Sequence, residues 1–289
     1  MSLAMMTLAE LFLRYLEYSR IHKKSFASDQ SKIKNYLLPR LGHIKLNMIN
    51  RRDIADYING LDGLKLSTRN RHIALLKAIF TWAREFDYIS TSPVAGFKTF
   101  KEPASLRRAM EPDEFTAFMQ VLDAEIKQEP RDTLLILSFL ALTGMRLGEA
   151  RSADIQSINM SRKTLFLHDT KSGDSRLVPL CQRAMDIALM QVSKYGNGGL
   201  LFRSGAGGRV TEPRRLMTAI CERAGIARFT IHELRYTAGS AMLAVTRDIY
   251  SVQRFLGHKC TKTTAIYAQY FGGQQHDDIE RAMALMLNR

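Results

Sequence analysis

Cysteine is scarce in this 289-residue chain. Its three cysteines, Cys181, Cys221 and Cys260, are odd in number and far apart. No CxxC pair occurs, which argues against a zinc site or a disulfide framework and suits a reducing, cytoplasmic setting. No apolar run is long enough to span a bilayer, and no secretory-leader pattern is legible. There is no internal repeat. Acidic residues are also in deficit: 28 Asp and Glu stand against 42 Lys and Arg, a formal net charge of +14. None of the acids cluster at a spacing that would hold the divalent ions many nucleases use. A basic excess of this size favours a polyanionic partner, and nucleic acid is the simplest one. A soluble protein that is merely cationic is the competing reading.

What is present fits one large or two ordinary domains. The hydrophobic fraction of 46% is enough for real cores. The first hundred residues hold 16 Lys and Arg against 8 Asp and Glu, and the remainder is basic too, so both parts could touch one polyanion.

The first part reads as helices. Thr7 and Glu10 have the spacing of a capping box, followed by Leu8, Leu11, Phe12, Tyr15 and Leu16 on one helical face. A second helix is expected over 28–37, stopped by Pro39 and Gly42. Asn50 is placed to cap a third, and Ser67 a fourth that runs through Ile73, Leu76, Phe80 and Ala83. That fourth helix carries Arg69, Arg71, His72 and Lys77. A solvated outer face and a DNA-backbone contact both account for these side chains. Residues 98–110, polar, basic and broken by Pro103, read as a linker. The expected division is therefore 1–97, a linker over 98–110, and 111–289.

The rear part mixes classes. An apolar helix is expected over 131–142. Strand-like runs follow at 155–158, 164–168 and 176–180, with Ser172-Gly173-Asp174 as a hairpin turn. Helices resume near Arg183, Pro213, Ile231 and Asp248. A last amphipathic helix is expected over 277–287. The fold class is mainly α with a small antiparallel sheet.

Cleaving a phosphodiester requires a nucleophile, charge stabilisation on the non-bridging oxygens and a proton for the leaving oxygen. The candidates here are cations, imidazoles and a phenol. Thr143-Gly144 ends the apolar helix and sets Arg146 at a helix start, and Glu149 lies three residues on. A guanidinium can grip two phosphate oxygens in a fork, although such Arg–Glu pairs are also common on helix surfaces. His232 and Arg235 fall on one side of a helix. His258 follows Leu256-Gly257. Tyr267 could attack phosphorus, with Tyr270 and Tyr236 as competing phenols. Lys171 stands beside the hairpin turn, from where a flexible lysine could reach into a groove and protonate a leaving 5′ oxygen. Taken singly, each residue is better explained by an ordinary structural role.

Taken in order, Arg146 in TGMRLGEA, Lys171 on a hairpin, His232 and Arg235 in HELR, His258 in LGH and Tyr267 in TTAIYAQY resemble the tyrosine recombinase (phage integrase) family. The resemblance covers most of the chain. It implies a two-domain DNA clamp: an N-terminal core-binding helical bundle and a catalytic domain closing around duplex DNA, with Arg69, Arg71 and Lys77 among the DNA contacts. It implies that Arg146, His232, Arg235 and His258 bind the scissile phosphate, and that Glu149 supports them. Lys171 would be the general acid, and Tyr267 would form a 3′-phosphotyrosyl link. No metal and no other cofactor is implied. The expected partners are double-stranded DNA and three further copies of the chain in a tetramer on DNA, with a monomer in solution and room for an accessory DNA-bending protein. No membrane partner is implied. The C-terminal helix would dock on the next protomer. The implied activity is integration or excision of a phage or mobile element. A chromosome-dimer resolving recombinase, a type IB topoisomerase and a catalytically silent DNA-binding protein are the alternatives. The chain departs from the family pattern at Tyr236 and Gln269, neither of which belongs to the catalytic set.

Overall fold

The computed structural model describes residues 5–102, 108–168, 175–260, 264, 267 and 283. The chain divides into two compact units, Met1–Ser105 and Leu106–Arg289.

The first unit is helical. Helix α1 (Leu8–His22) starts at a reciprocal cap, in which the Glu10 amide donates to Thr7 Oγ1 and the Thr7 amide donates to Glu10 Oε2 at 2.8 Å. Its buried face is Leu8, Leu11, Phe12, Tyr15 and Leu16, the stripe expected from the sequence. Helix α2 (Phe26–Lys32) widens into a π-helical segment (Ile33–Leu37) and continues as α3 (Leu38–Leu41). The expected stop at Pro39 does not occur. Pro39 instead follows directly on the π-helical segment inside this continuous helical run, and the chain leaves the helix at Gly42. Helix α4 (Arg51–Asn59) is capped by Asn50, whose Oδ1 accepts from the Arg52 and Asp53 amides. Helix α5 (Leu66–Glu85) begins one residue before Ser67, so Ser67 is no cap. These helices enclose a core that includes Leu11, Phe12, Tyr15, Ile54, Leu76 and Phe80.

The second unit begins with α6 (Pro112–Gln128) and α7 (Asp132–Thr143). Helix α7 is apolar almost all round and is buried accordingly, so it forms the axis of this unit. Asp132 fixes its start by accepting from Gln191, Lys194, Tyr195 and the Arg203 amide. Helix α8 (Leu147–Arg151) follows at once.

The expected strand over 155–158 is instead a 3₁₀ turn (Ile155–Ser157) leading into a two-residue strand, β1 (Ile158–Asn159). The Asp154 carboxylate accepts from the Gln156 amide at 2.8 Å, and this local bond favours the turn over a ladder. With β2 (Thr164–Leu167) and β3 (Arg176–Pro179), β1 makes an antiparallel sheet in the order β1-β2-β3. Leu165 pairs with Val178 and Leu167 with Arg176. Leu165, Leu167 and Val178 are buried, whereas Leu177 is exposed.

Helices α9 (Gln182–Tyr195), α10 (Arg214–Arg223), α11 (Ile231–Thr246) and α12 (Ile249–Leu256) complete the described part of the unit. Helix α11 packs on α7 and on α12. The Ser172-Gly173-Asp174 turn lies outside the described residues. So does the expected terminal helix over 277–287, apart from Met283.

Candidate active site

The C-terminal end of α7 meets the N-terminal half of α11 and the C-terminal end of α12. Gly144, at φ +61°, ends α7, and Gly257, at φ +66°, ends α12. Both adopt a left-handed conformation that glycine reaches without the steric cost borne by other residues. Each turn delivers a functional-group residue within two positions: Arg146 after Gly144, and His258 after Gly257.

Arg235 ties the three helices together. It is only 3% exposed. Its Nη1 donates to the Gly144 carbonyl at 2.7 Å and its Nη2 to the Leu256 carbonyl at 2.6 Å. The guanidinium therefore neutralises carbonyls at the C-terminal ends of two helices, where positive charge is favoured. Burial and the nearby charge of Arg146 lower its pKa to about 10, which leaves it cationic at neutral pH.

Arg146 precedes α8 directly and is half-buried. Glu149, buried one turn later, accepts from the Arg146 guanidinium at 2.7 Å and from the Arg146 amide at 3.0 Å. Its second oxygen also accepts from Arg176 Nη2 at 2.9 Å. Burial pushes the Glu149 carboxyl up. The charge of Arg176 and the hydrogen bonds from both arginines outweigh that effect and hold it below the usual carboxylate range.

His258 is 9% exposed. Its Nδ1 lies 3.0 Å from Thr264 Oγ1, and its backbone is held by a reciprocal pair of bonds with Gln253. Burial, then the charges of Arg235, Arg146, Arg176 and His232, lower its pKa to about 4. The imidazole is therefore neutral at pH 7. The ring of Tyr267 stacks on it at 6.3 Å between centroids and 24° between planes. The ring of Tyr236 lies 4.8 Å from that of Tyr267 between centroids. Tyr267 is 1% exposed, enclosed by Tyr236, Leu243, Val252 and Leu256. His232 is exposed on the first turn of α11.

Of the residues singled out in the sequence, the structure brings Arg146, Glu149, Arg235, His258 and Tyr267 together, with His232 close enough to act on His258 electrostatically. Lys171 and Tyr270 lie outside the described residues. The sequence reading missed Arg176. It stands at the start of a strand, with no motif around it to mark it. Its position opposite a buried leucine is the signal that only the register supplies.

On α5, the Arg69 Nε donates to the Leu64 carbonyl and its guanidinium lies over the Phe100 ring. Arg71 is exposed and Lys77 half-buried. His72 belongs to the core: it is buried, and its Nδ1 lies 2.7 Å from the Tyr57 hydroxyl. Among the described residues no three His, Cys, Asp or Glu side chains are placed to share a metal ion. Among them, too, no helix is long and apolar enough to cross a membrane.

Residues 108–272, more than half of the chain, match the model of the phage integrase family. The chain belongs to that family. Residues 7–61 match the phage integrase N-terminal SAM-like domain. Tyrosine recombinase XerC of Corynebacterium efficiens is 28% identical over 214 residues, which cover 71% of this chain and 68% of that one. Tyrosine recombinase XerD of Bifidobacterium longum is 28% identical over 266 residues, 84% of each chain. Among solved structures, a lambda integrase dimer bound to a COC′ core site aligns with a TM-score of 0.70 at 22% identity, covering 89% of this chain and 97% of the other. The Tn1549 transposon integrase in complex with transposon right end DNA aligns with a TM-score of 0.74 at 16% identity, covering 96% and 99%. At these identities the likeness to the solved structures is one of fold.

Proposed function

We propose that the protein is a site-specific DNA recombinase that cuts and rejoins duplex DNA through a 3′-phosphotyrosyl link at Tyr267. The observation that carries this reading is the convergence of two arginines, a neutral imidazole and a phenol at one meeting point of α7, α11 and α12.

In this reading Arg146, Arg235, His232 and His258 hold the non-bridging oxygens of the scissile phosphate. The two guanidiniums stabilise the charge that builds up as phosphorus is attacked. The neutral His258 supplies a hydrogen bond without adding a third positive charge. The Tyr267 Oη gives up its proton to solvent and forms a bond to phosphorus, and the bond from phosphorus to the 5′ oxygen breaks. Lys171 gives that oxygen its proton. A free phenol ionises only near pH ~10, so attack at neutral pH depends on the surrounding cations. Tyr267 is enclosed, so its hydroxyl has to be uncovered before it reaches DNA. The link stores the energy of the broken bond, and a 5′-hydroxyl from another strand can reverse the step. Neither a divalent metal nor a nucleotide takes part.

Residues 1–97 are assigned the role of a core-binding domain, 98–110 that of a linker, and 111–289 catalysis. Arg69, Arg71 and Lys77 of α5 contact the DNA backbone, and four copies act together on two duplex sites. The physiological outcome we assign is integration or excision of a mobile element. The similarity to XerC and XerD favours a second reading, resolution of chromosome dimers.

The test is trapping on a duplex nicked just beyond the target phosphate, so that the cleaved fragment diffuses away. A protein–DNA adduct that survives denaturation supports the reading. Binding without an adduct would indicate a catalytically silent DNA-binding protein. Supercoil relaxation with no exchange between paired sites would indicate a topoisomerase. Recombination between an element's end and a chromosomal site, set against recombination between two identical chromosomal sites, separates the two physiological outcomes.

A further inference from the structure

In an antiparallel strand, alternate residues share a face. On β3, Val178 faces the core and is fully buried, so position 176 faces the core as well. It lies opposite Leu167, on the face that also carries Leu165. An apolar residue would be expected there. The chain has an arginine instead, with only 13% of its side chain exposed, while the neighbouring Leu177 is 57% exposed. Charge stands inside and leucine outside, against the usual partition. The Arg176 Nε is buried without a hydrogen-bond partner, which makes the placement costlier still. An arginine kept at such a position has to be accounted for by what its two terminal nitrogens hold.

They hold two parts of the candidate site. Nη2 donates to Glu149 Oε2 at 2.9 Å, the same oxygen that accepts from the Arg146 amide. Nη1 donates to the Phe255 carbonyl at 2.9 Å, at the last turn of α12. Between them the aliphatic stem and guanidinium lie directly against Gly257. A β-carbon on Gly257 would come within 2.6 Å of Arg176 Nε and 3.0 Å of Cζ. The turn that delivers His258 is thus pressed onto this one side chain.

We propose that Arg176 is a positioning residue of the phosphate-binding cluster, fixing Glu149 against Arg146 and clamping the Gly257 turn that presents His258. The proposal rests on the recombinase reading for its kinetic arm and on geometry alone for its spectroscopic arm. A planar fork is needed, because one group must reach a carboxylate and a carbonyl on different helices at once. Lysine keeps the charge but offers a single tetrahedral nitrogen. The groups that face His258 are Arg146, Arg176, Arg235 and His232, together with the Thr264 hydroxyl and the Tyr267 ring.

The experiment compares the full chain with its Arg176→Gln and Arg176→Lys variants. One arm measures DNA affinity and the single-turnover rate of adduct formation on the nicked duplex. The other follows the His258 ring and the Gly257 and His258 amides by NMR in the absence of DNA. Both variants should bind DNA within about twofold of the parent and form adduct roughly a hundredfold more slowly, the scale expected for a small misplacement of a reacting group. Both should shift the Gly257 and His258 amide resonances. Arg176→Gln should also raise the His258 pKa, because a positive charge has gone, while Arg176→Lys should leave it near the parent's value. A parental adduct rate in either variant, or affinity and rate falling in equal proportion, would overturn the proposal. If Arg176→Gln does not fold, Arg176→Lys decides by the same criteria. If the parent itself forms no adduct, the recombinase reading fails, and unmoved amides in Arg176→Lys would then still refute the clamp.

Discussion

Gly239 of α11 lies against the ring of Tyr267: a β-carbon at position 239 would stand 2.6 Å from Tyr267 Cε1 and 2.8 Å from Cζ. The same β-carbon would meet Leu256 Cδ1 at 2.9 Å. Contacts this short force a neighbour to move, and the ring of Tyr267 is fully buried.

Gly239→Ala therefore opposes two effects. Alanine in a helix interior gains about 0.5–1 kcal/mol over glycine. Overpacking of a closed core costs about 1–3 kcal/mol. The second effect outweighs the first, so the melting temperature should fall and adduct formation should slow. Calorimetry and the trapping assay check this. A more stable variant with an unchanged rate would show that Tyr267 is not seated on Gly239.

Glu149 gives a pH signature. Its folded-state pKa is depressed, with the charge of Arg176 and bonds from two arginines outweighing burial. Its contribution is fully present above the ordinary glutamate pKa and is lost as pH falls through the lower folded value. Urea midpoints should drop below about pH 4.3, and Glu149→Gln should lack that part of the fall. At neutral pH Glu149→Ala should cost about 3 kcal/mol, the low end for breaking a buried pair, since Arg146 reaches solvent. A cost under about 1 kcal/mol would reduce the cluster to a surface ion pair.

His258 acts in a different window. Burial and four neighbouring cationic or basic groups take its pKa to about 4. Between that value and the ordinary ~6.5 the unfolded chain binds more protons, so stability rises with pH across this window and levels off above it. Buried His72, also near 4, adds a rise of the same sign. His258→Asn should make the rise shallower by up to about 1.4 kcal/mol per pH unit. An imidazole of His258 that titrates near pH 6.5 by NMR would contradict a neutral hydrogen-bonding role at pH 7.

Lys171 is assigned as the proton donor to the leaving oxygen. Lys171→Ala should slow adduct formation by roughly 10²–10⁴-fold, the usual contribution of general acid catalysis. A duplex whose scissile 5′ oxygen is replaced by sulfur needs no such proton and should be cleaved by the variant at close to the parental rate. Equal slowing on both substrates would remove Lys171 from that role.

The features legible in the sequence were those set by short-range chemistry. The Thr7–Glu10 and Asn50 caps, the apolar helix α7 and its end at Gly144 each depend on a few adjacent residues, and the structure has them. Pro39 misled, because the π-helical segment just before it, which no local motif marks, carries the helix on past a residue that usually ends one. Residues 155–158 misled because the Asp154 side chain gave the backbone a local alternative to a ladder. His72 lies among charged residues on α5, yet its rotation about that helix carries it inward onto Tyr57. Arg176 could not be found without the register of β2 with β3, since its partners Glu149 and Phe255 are remote in sequence. The bonds from Arg235 to Gly144 and Leu256 likewise span long stretches of chain, and no spacing rule foretells them.

The central claim is that one phenol, Tyr267, attacks phosphorus within the Arg146–Arg235–His258 cluster. Its most direct test is to trap the adduct, digest protein and DNA, and locate the nucleotide-bearing residue by mass spectrometry. The account predicts a 3′-phosphonucleotide on Tyr267, and no adduct from Tyr267→Phe although that variant still binds DNA. A nucleotide on Tyr270 or Tyr236, or an adduct that persists in Tyr267→Phe, would contradict it.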